Sequence, residues 1–438
     1  MDVCSAALRI RTKETSTMID LKNWSGNHRF GAPRVHFPDN IEQVQALVRS
    51  SGRVKALGSR HSFNDIADSP EDLICLEKFD PAIAIDRERR TVTVNAGVKY
   101  GHLCGPLHQA GFGLHNLASL PHISVAGACA TATHGSGDEN GNLATAVSAL
   151  EMVTGDGDLV TLTRDRDGDR FLGAVVGLGA LGIVTRLTLD LVPTFMVRQD
   201  VYENLPLETL ISRYDEILSC AYSVSLFTDW RHSRCNQVWI KRRVTPEDAA
   251  PEPEFFGAAP ATVRMHPISS LSAESCNEQQ GMSGPWHERL PHFRMEFIPS
   301  NGEELQTEYF VPRIHLPAAL RALDSLSDRI APLLQISEIR TIAADRLWMS
   351  PCYGRASVAL HFTWLKEQEA VMDLLPAIEA QLAPFEARPH WGKLFAMAPA
   401  RLQSLYTKLP DFRDLIRAFD PQGRFRNAFL DRTINAVA

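Results

Sequence analysis

Val54-Lys55-Ala56-Leu57-Gly58-Ser59-Arg60-His61-Ser62-Phe63-Asn64 is the stretch on which the reading of this 438-residue chain turns. Val54, Ala56 and Leu57 form a short apolar run that reads as a strand. The run breaks at Gly58-Ser59, where a glycine allows close approach of backbone to ligand and successive free N–H groups form an anion-binding nest. The turn then presents His61 between small polar residues. A second stretch, Ser119-Leu120-Pro121-His122-Ile123-Ser124-Val125-Ala126-Gly127-Ala128-Cys129-Ala130-Thr131-Ala132-Thr133-His134-Gly135-Ser136-Gly137, carries little bulk or charge but many hydroxyls and backbone donors. Such a composition suits a loop wrapped around a large, flat, phosphate-bearing ligand.

Around these loops the first third reads as an α+β unit. Ile41, Val44, Leu47 and Val48 recur at helical spacing behind Asp39-Asn40, which can cap the helix. Leu73–Leu76, Ile83–Ile85 and Thr91–Val94 read as strands, and Tyr100–Ala110 as a helix ending at Gly111. Leu150–Val153 and Leu159–Leu162 flank a Gly-Asp-Gly turn and read as a hairpin. Gly177-Leu178-Gly179-Ala180-Leu181-Gly182 matches G-x-G-x-x-G. A dinucleotide fingerprint follows a strand and opens a helix, whereas here a helical pattern precedes and a strand pattern follows, so a Rossmann unit is rejected. The glycines mark instead a helix-to-strand turn packed close to a ligand.

Beyond Pro193, Tyr222–Phe227 and Gln237–Ile240 announce a second sheet. Thr245–Pro291 reads as a long irregular covering segment. Leu316–Leu334, broken near Pro332, Gln368–Leu382 and Leu402–Leu409 read as helical, and Asp420–Asn427 as a turn. Three late stretches read as strands with unusual polar residues. Glu338 and Arg340 are two apart and share a face, as do His361 and Thr363. Lys393 is a lone cation in the apolar run His390–Phe395. Together they describe a sheet face able to hold a polyhydroxylated ligand. The alternative for each pair is a solvated ladder of opposite charges.

The bulk properties bound the remaining options. Apolar residues are 44% and charged residues 22% of the chain, as in ordinary globular proteins, and the net charge of −7 argues against nucleic acid as a partner. No apolar run is long enough to span a bilayer, so no membrane partner is expected. Met1–Thr17 reads as a loose tail rather than a secretory signal, with Met18 an alternative start. The eight cysteines are scattered without C-x-x-C, which points to reduced thiols and a cytoplasmic location. His102, His108, His115, His122, His287 and His292 lack metal-ligand spacing and read as hydrogen-bonded loop histidines, so no metal is expected. His134 reads as a residue that fixes backbone.

The two glycine-rich loops resemble those of the vanillyl-alcohol-oxidase family of flavoproteins. The likeness runs from about Asn23 to Phe429. Asn23-Trp24-Ser25-Gly26-Asn27, Gly284-Pro285-Trp286-His287-Glu288-Arg289-Leu290-Pro291-His292, Glu338-Ile339-Arg340, His361-Phe362-Thr363-Trp364 and His390-Trp391-Gly392-Lys393 are similar to its polyol-oxidising branch, the bacterial alditol oxidases. The resemblance implies a two-domain α+β fold. It comprises an FAD-binding domain over 1–192, a cap domain built on an antiparallel sheet over 193–398, and a C-terminal segment over 399–438 returning to the first. FAD would be attached covalently through His61. Ala56, Leu57, Gly58, Ser59, Arg60, Ser62, Ser119, Ser124, Gly127, Thr131, Ala132, Thr133, His134, Val184 and His390 would line it. Relatives often carry glycine where this chain has Arg60. Ser119, Glu338, Arg340, His361, Thr363 and Lys393 would hold the substrate, with Lys393, Arg340 and His361 catalytic. The implied reaction takes the terminal primary hydroxyl of a polyol such as xylitol or sorbitol to the aldose, by hydride transfer to flavin N5 with O2 reduced to H2O2. The partners expected are the polyol and oxygen, acting on a monomer. The same loops also fit an oxidase or dehydrogenase of sugar lactones or sugars.

Overall fold

The computed structural model describes residues 21–245, 252–297 and 302–436. The expectation for the segment before Met18 lies outside them. Asn40 caps the helix Ile41–Ser50, its side chain accepting from Gln43 N–H. Three parallel strands, Arg34–His36, Asp72–Cys75 and Val54–Leu57, form a small sheet in that order. A second, antiparallel sheet runs Ile83–Asp86, Thr91–Asn95, Ile183–Asp190, Val147–Val153, Leu159–Thr163. Its last two strands are the expected Gly-Asp-Gly hairpin. The helix Arg164–Val175 precedes the glycine turn 177–182 and a strand follows it, the order that excludes a Rossmann unit.

The largest sheet is antiparallel. Its main path runs Ala259–Pro260, Met196–Pro206, Arg234–Arg243, Ser223–Thr228, Leu334–Ile342, Ser357–Trp364, Leu305–Pro312, Arg388–Pro389. Period-two alternation divides its faces. Val224, Leu226, Ile339, Leu360, Phe362, Tyr309 and Val311 pack on one side against Leu210, Ile217, Leu320, Val371, Leu375 and Ile378 of three helices. The other face is turned to a cavity. Leu402, Phe412, Phe419 and Phe429 from the end of the chain share a core with Val92, Leu150 and Leu187 of the second sheet.

Three local expectations are corrected. The helix from Leu316 stops at Asp324, a short turn of helix covers Ser327–Ile330, and Leu334 already begins a strand. Instead of one helix over Leu402–Leu409 there are two, Pro399–Ser404 and Leu409–Phe419, each with proline in its first turn. His390–Phe395 is not a strand. His390 takes the Gly392 N–H on Nδ1 at 3.0 Å and its carbonyl takes the Lys393 N–H at 3.1 Å, which closes a turn.

Candidate functional site

A cavity of ≈ 570 Å³ lies between the two glycine-rich loops and the polar face of the large sheet. The strand Val54–Leu57 ends at its wall, and the turn Gly58–Ser62 follows. The backbone N–H groups of Ser59, Arg60, His61 and Ser62 find no acceptor among the described residues. Asn23 Nδ2 donates to Ser62 O at 2.9 Å and Trp24 N–H to Arg60 O at 2.8 Å, so the run 23–27 clamps the turn from outside. Trp24 stacks on the His61 ring, with centroids 5.5 Å apart and planes 22° apart. Arg60 occupies the left-handed region at φ 62°, the conformation glycine adopts freely.

The loops interlock closely. Ser59 Oγ accepts from Ser124 N–H at 3.1 Å. A Cβ on Gly58 or on Gly127 would stand 2.8 Å from Ser124 Oγ, so a side chain at either position would crowd that hydroxyl. Ala56, Leu57, Ser119, Ser124, Gly127, Thr131, Thr133, His134, Val184 and His390 all face the cavity, and so does the glycine turn 177–182 through Gly177, Gly179 and Gly182. Ala132 does not. It turns the chain at φ 55° and buries its methyl in the core.

An FAD fits this wall by three signs. Glycines keep the cradle clear, a run of N–H groups is unspent, and His61 Nδ1 and Ser124 Oγ are buried without a hydrogen-bond partner. Burial and the neighbouring His122 hold the His61 ring down to about 4, so it is a neutral nitrogen nucleophile at neutral pH.

The opposite wall is one cross-strand row. Glu308 pairs with His361, His361 with Glu338, and Glu338 with Phe227, across four neighbouring strands. Thr363 stands in the next row, between Gln306 and Ile336. Arg340 Nη2 donates to Glu308 Oε1 at 3.0 Å, and Lys393 Nζ donates to Glu308 Oε2 at 2.7 Å. Arg340 Nη1 also donates to Ser119 Oγ at 3.3 Å, and its Nε lies 3.5 Å from Glu338 Oε1. Every expected substrate residue therefore lines the same cavity. The solvated-ladder alternative is excluded, because Glu308, Glu338, Arg340, His361 and Thr363 are buried and the Lys393 side chain keeps only 13% of its exposure.

Charge in this cluster is strongly organised. Burial pushes the carboxyls of Glu338 and Glu308 up, but Arg340 and His292 around the first, and Lys393, His134 and Arg340 around the second, outweigh it and hold both ionised. Burial lowers Lys393, opposed by Glu308. Burial and the Lys393 charge hold His361 well below its ordinary range, and both its ring nitrogens are buried without a hydrogen-bond partner. The row thus offers two fixed cations, two fixed anions and one neutral imidazole with an uncommitted lone pair.

The sequence reading missed Glu308, the one charged residue of the strand Leu305–Pro312, and Lys241 in the strand Arg234–Arg243. A single charge ahead of Tyr309-Phe310-Val311 is the signal that could have found Glu308; Lys241, followed directly by Arg242 and Arg243, carries none. His292, read as an ordinary loop histidine, instead has Nε2 2.7 Å from Glu338 Oε1.

Residues 32–163 match the family model "FAD binding domain", and residues 300–433 match "D-arabinono-1,4-lactone oxidase". An alditol oxidase from a Streptomyces species is 48% identical over 93% of this chain and 97% of its own. An L-gulono-1,4-lactone dehydrogenase of Mycobacterium tuberculosis is 26% identical over 94% of this chain and 98% of its own. Among solved structures, the cholesterol oxidase of B. sterolicum superposes with a TM-score of 0.76 over 99% of this chain and 100% of its own, at 14% identity. That likeness is one of fold: mixed helices and strands around the loops, with a large antiparallel sheet in the second part of the chain.

Proposed function

The chain belongs to the vanillyl-alcohol-oxidase family of flavoproteins, on the branch of the Streptomyces alditol oxidase, and we propose that it is an FAD-dependent oxidase of the terminal primary hydroxyl of polyols. The observation that carries this reading is the cluster Glu338, Arg340, His361, Glu308 and Lys393 on the wall of the cavity that the loop of His61 also lines. A wall of paired cations and anions offers donors and acceptors to several hydroxyls at once, and leaves buried groups unpaired when a hydroxyl is missing.

FAD, when bound, supplies the acceptor for the carbinol hydride and passes its electrons to O2, giving H2O2. Its holders are the turn 58–62, Ser124, Gly127, Thr131, Thr133, His134, Val184 and His390, with His61 Nδ1 the reading for the covalent link. His361 is the proton acceptor of the substrate hydroxyl, since it alone in the row combines a free lone pair with a neutral ring. Arg340 and Lys393 are positive at fixed sites and stabilise the negative charge that develops on the hydroxyl oxygen. Glu338, Thr363 and Ser119 take the remaining hydroxyls.

We divide the chain at 192/193 and 398/399 into FAD domain, cap and returning segment, a division supported by the change of sheet at Met196 and by the shared core of Leu402 and Phe429 with the second sheet. A cytoplasmic monomer completes the reading. All seven described cysteines are free, and no helix among the described residues is long and apolar enough to cross a membrane.

A lactone substrate has one observation in its favour, the match of residues 300–433 to a lactone oxidase model. Peroxide release and aldose formation from xylitol and sorbitol, set against L-gulono- and D-arabinono-lactones, decide between the two. Polyols with the higher kcat/KM are expected; lactones outcompeting them would overturn the assignment.

A further inference from the structure

We propose that His292, with its tautomer fixed by Lys241, is a positioning residue that commits one oxygen of Glu338 and leaves the other to the substrate. The substrate clause rests on the polyol reading above; the tautomer does not.

Lys241 is 1% exposed in the middle of the large sheet. An ammonium so placed is costly unless each of its protons finds an acceptor. Three acceptors surround Nζ: the Leu290 carbonyl, the Pro291 carbonyl at 3.3 Å and His292 Nδ1 at 3.2 Å. Burial pulls Lys241 down to about 7, opposed by Glu338, so up to that pH Nζ is an ammonium: three protons meet three acceptors, and an ammonium can only donate. His292 Nδ1 therefore accepts, and the ring proton sits on Nε2, which donates to Glu338 Oε1 at 2.7 Å.

The ring has little freedom to do otherwise. It meets Phe227 and Trp239 edge to face, at 5.6 and 5.1 Å between centroids. Its backbone N–H donates to Ser119 O at 3.1 Å, and its carbonyl accepts from Asn277 N–H at 3.0 Å. The ring is held down to about 4 by burial and the Lys241 charge, so it stays neutral between a cation and an anion. Arg340 Nε approaches the same Oε1. Both partners thus address Oε1, and no described side chain bonds Oε2 of a carboxylate that lines the cavity. A hydroxyl entering the site finds a pre-aimed acceptor there.

Two measurements test this. In steady-state kinetics with xylitol, His292→Phe is expected to lower kcat/KM about tenfold to a hundredfold, mainly through KM, the range for a lost hydrogen bond to a charged group. Combined with Glu338→Gln it should cost nothing further, because the two act through one contact. His292→Gln, which keeps an amide donor, should recover most of the loss. Additive losses, or no loss in His292→Phe, would overturn the positioning role. Separately, nitrogen NMR of histidine-labelled protein, assigned with His292→Gln, should show Nδ1 bare and Nε2 protonated, and Lys241→Met should release this preference. A protonated Nδ1 in the wild type would overturn the proposal whatever the substrate. A bare Nδ1 together with no turnover of xylitol would instead sink the polyol reading and leave the Lys241–His292–Glu338 chain standing.

Discussion

Lys393 Nζ lies 2.7 Å from Glu308 Oε2 while Arg340 Nη2 lies 3.0 Å from Glu308 Oε1, so one buried carboxylate spaces the two cations of the site. Glu308 itself is 1% exposed. Removing one member of such a cluster leaves uncompensated buried charge, which costs about 3–5 kcal/mol. Glu308→Gln is therefore expected to lower the denaturant midpoint strongly and to weaken turnover together. A variant that melts like the wild type would show that the cations do not depend on it.

Lys393→Met and Arg340→Met are expected to cut flavin reduction by xylitol about a hundredfold to a thousandfold, the usual consequence of losing one preorganised donor to a developing oxyanion. Each retains one cation against Glu308, so folding survives with a reduced melting temperature. Single-turnover absorbance at the flavin band measures the first effect, and thermal melting the second. Reduction at the wild-type rate in both variants would remove them from the chemistry.

His61→Ala should leave no flavin in acid-precipitated protein, whereas the wild-type pellet should stay yellow. The ground is the buried, unpartnered Nδ1 on a turn with unspent N–H groups. Flavin retained in the mutant pellet would assign the bond to another residue.

Arg60→Gly should raise stability by up to about 1 kcal/mol. A side chain at φ 62° pays roughly 1–2 kcal/mol for the left-handed region, partly offset by the larger unfolded entropy of glycine. Its exposed bond from Nη1 to Lys22 O is long, at 3.3 Å, and little is lost with it. Chemical denaturation of the two proteins side by side checks the sign; a destabilised Arg60→Gly would contradict the strain argument.

Stability should fall as pH drops below about 6.5. His292 is held near 4 in the native state by burial and Lys241, while an unfolded histidine titrates at about 6.5. Between those values the unfolded chain binds a proton that the native chain refuses, so stability declines with falling pH, at a limiting rate of about 1.4 kcal/mol per pH unit for the group. Above about 6.5 neither state is charged there and the contribution is flat. Melting curves from about pH 7.5 to 5 should show a shallower slope in His292→Gln than in the wild type.

The glycine loops were legible because their chemistry is local. A strand ending in Gly58-Ser59, a capping Asn40 and a Gly-Asp-Gly hairpin each follow from neighbours in the chain. The reversed order of helix and strand about Gly177–Gly182 was likewise readable, and it sufficed to reject a Rossmann unit. The period-two pairs Glu338/Arg340 and His361/Thr363 placed four cavity-lining side chains on strand faces. Local pattern failed at His390–Phe395, where an apolar run suggested a strand and the hydrogen bonds His390 makes to Gly392 and Lys393 close a turn.

What only the tertiary structure decided is register. Nothing in the sequence says that Glu308 lies beside His361, or that His361 lies beside Glu338, since sheet pairing joins segments far apart in the chain and a one-residue slip would turn each side chain to the other face. Nor could it say that these charges are buried against one another rather than solvated. Lys241 and His292 were invisible for the same reason. Each is an unremarkable residue until folding brings an ammonium, an imidazole and a carboxylate within hydrogen-bonding distance in a place that excludes water.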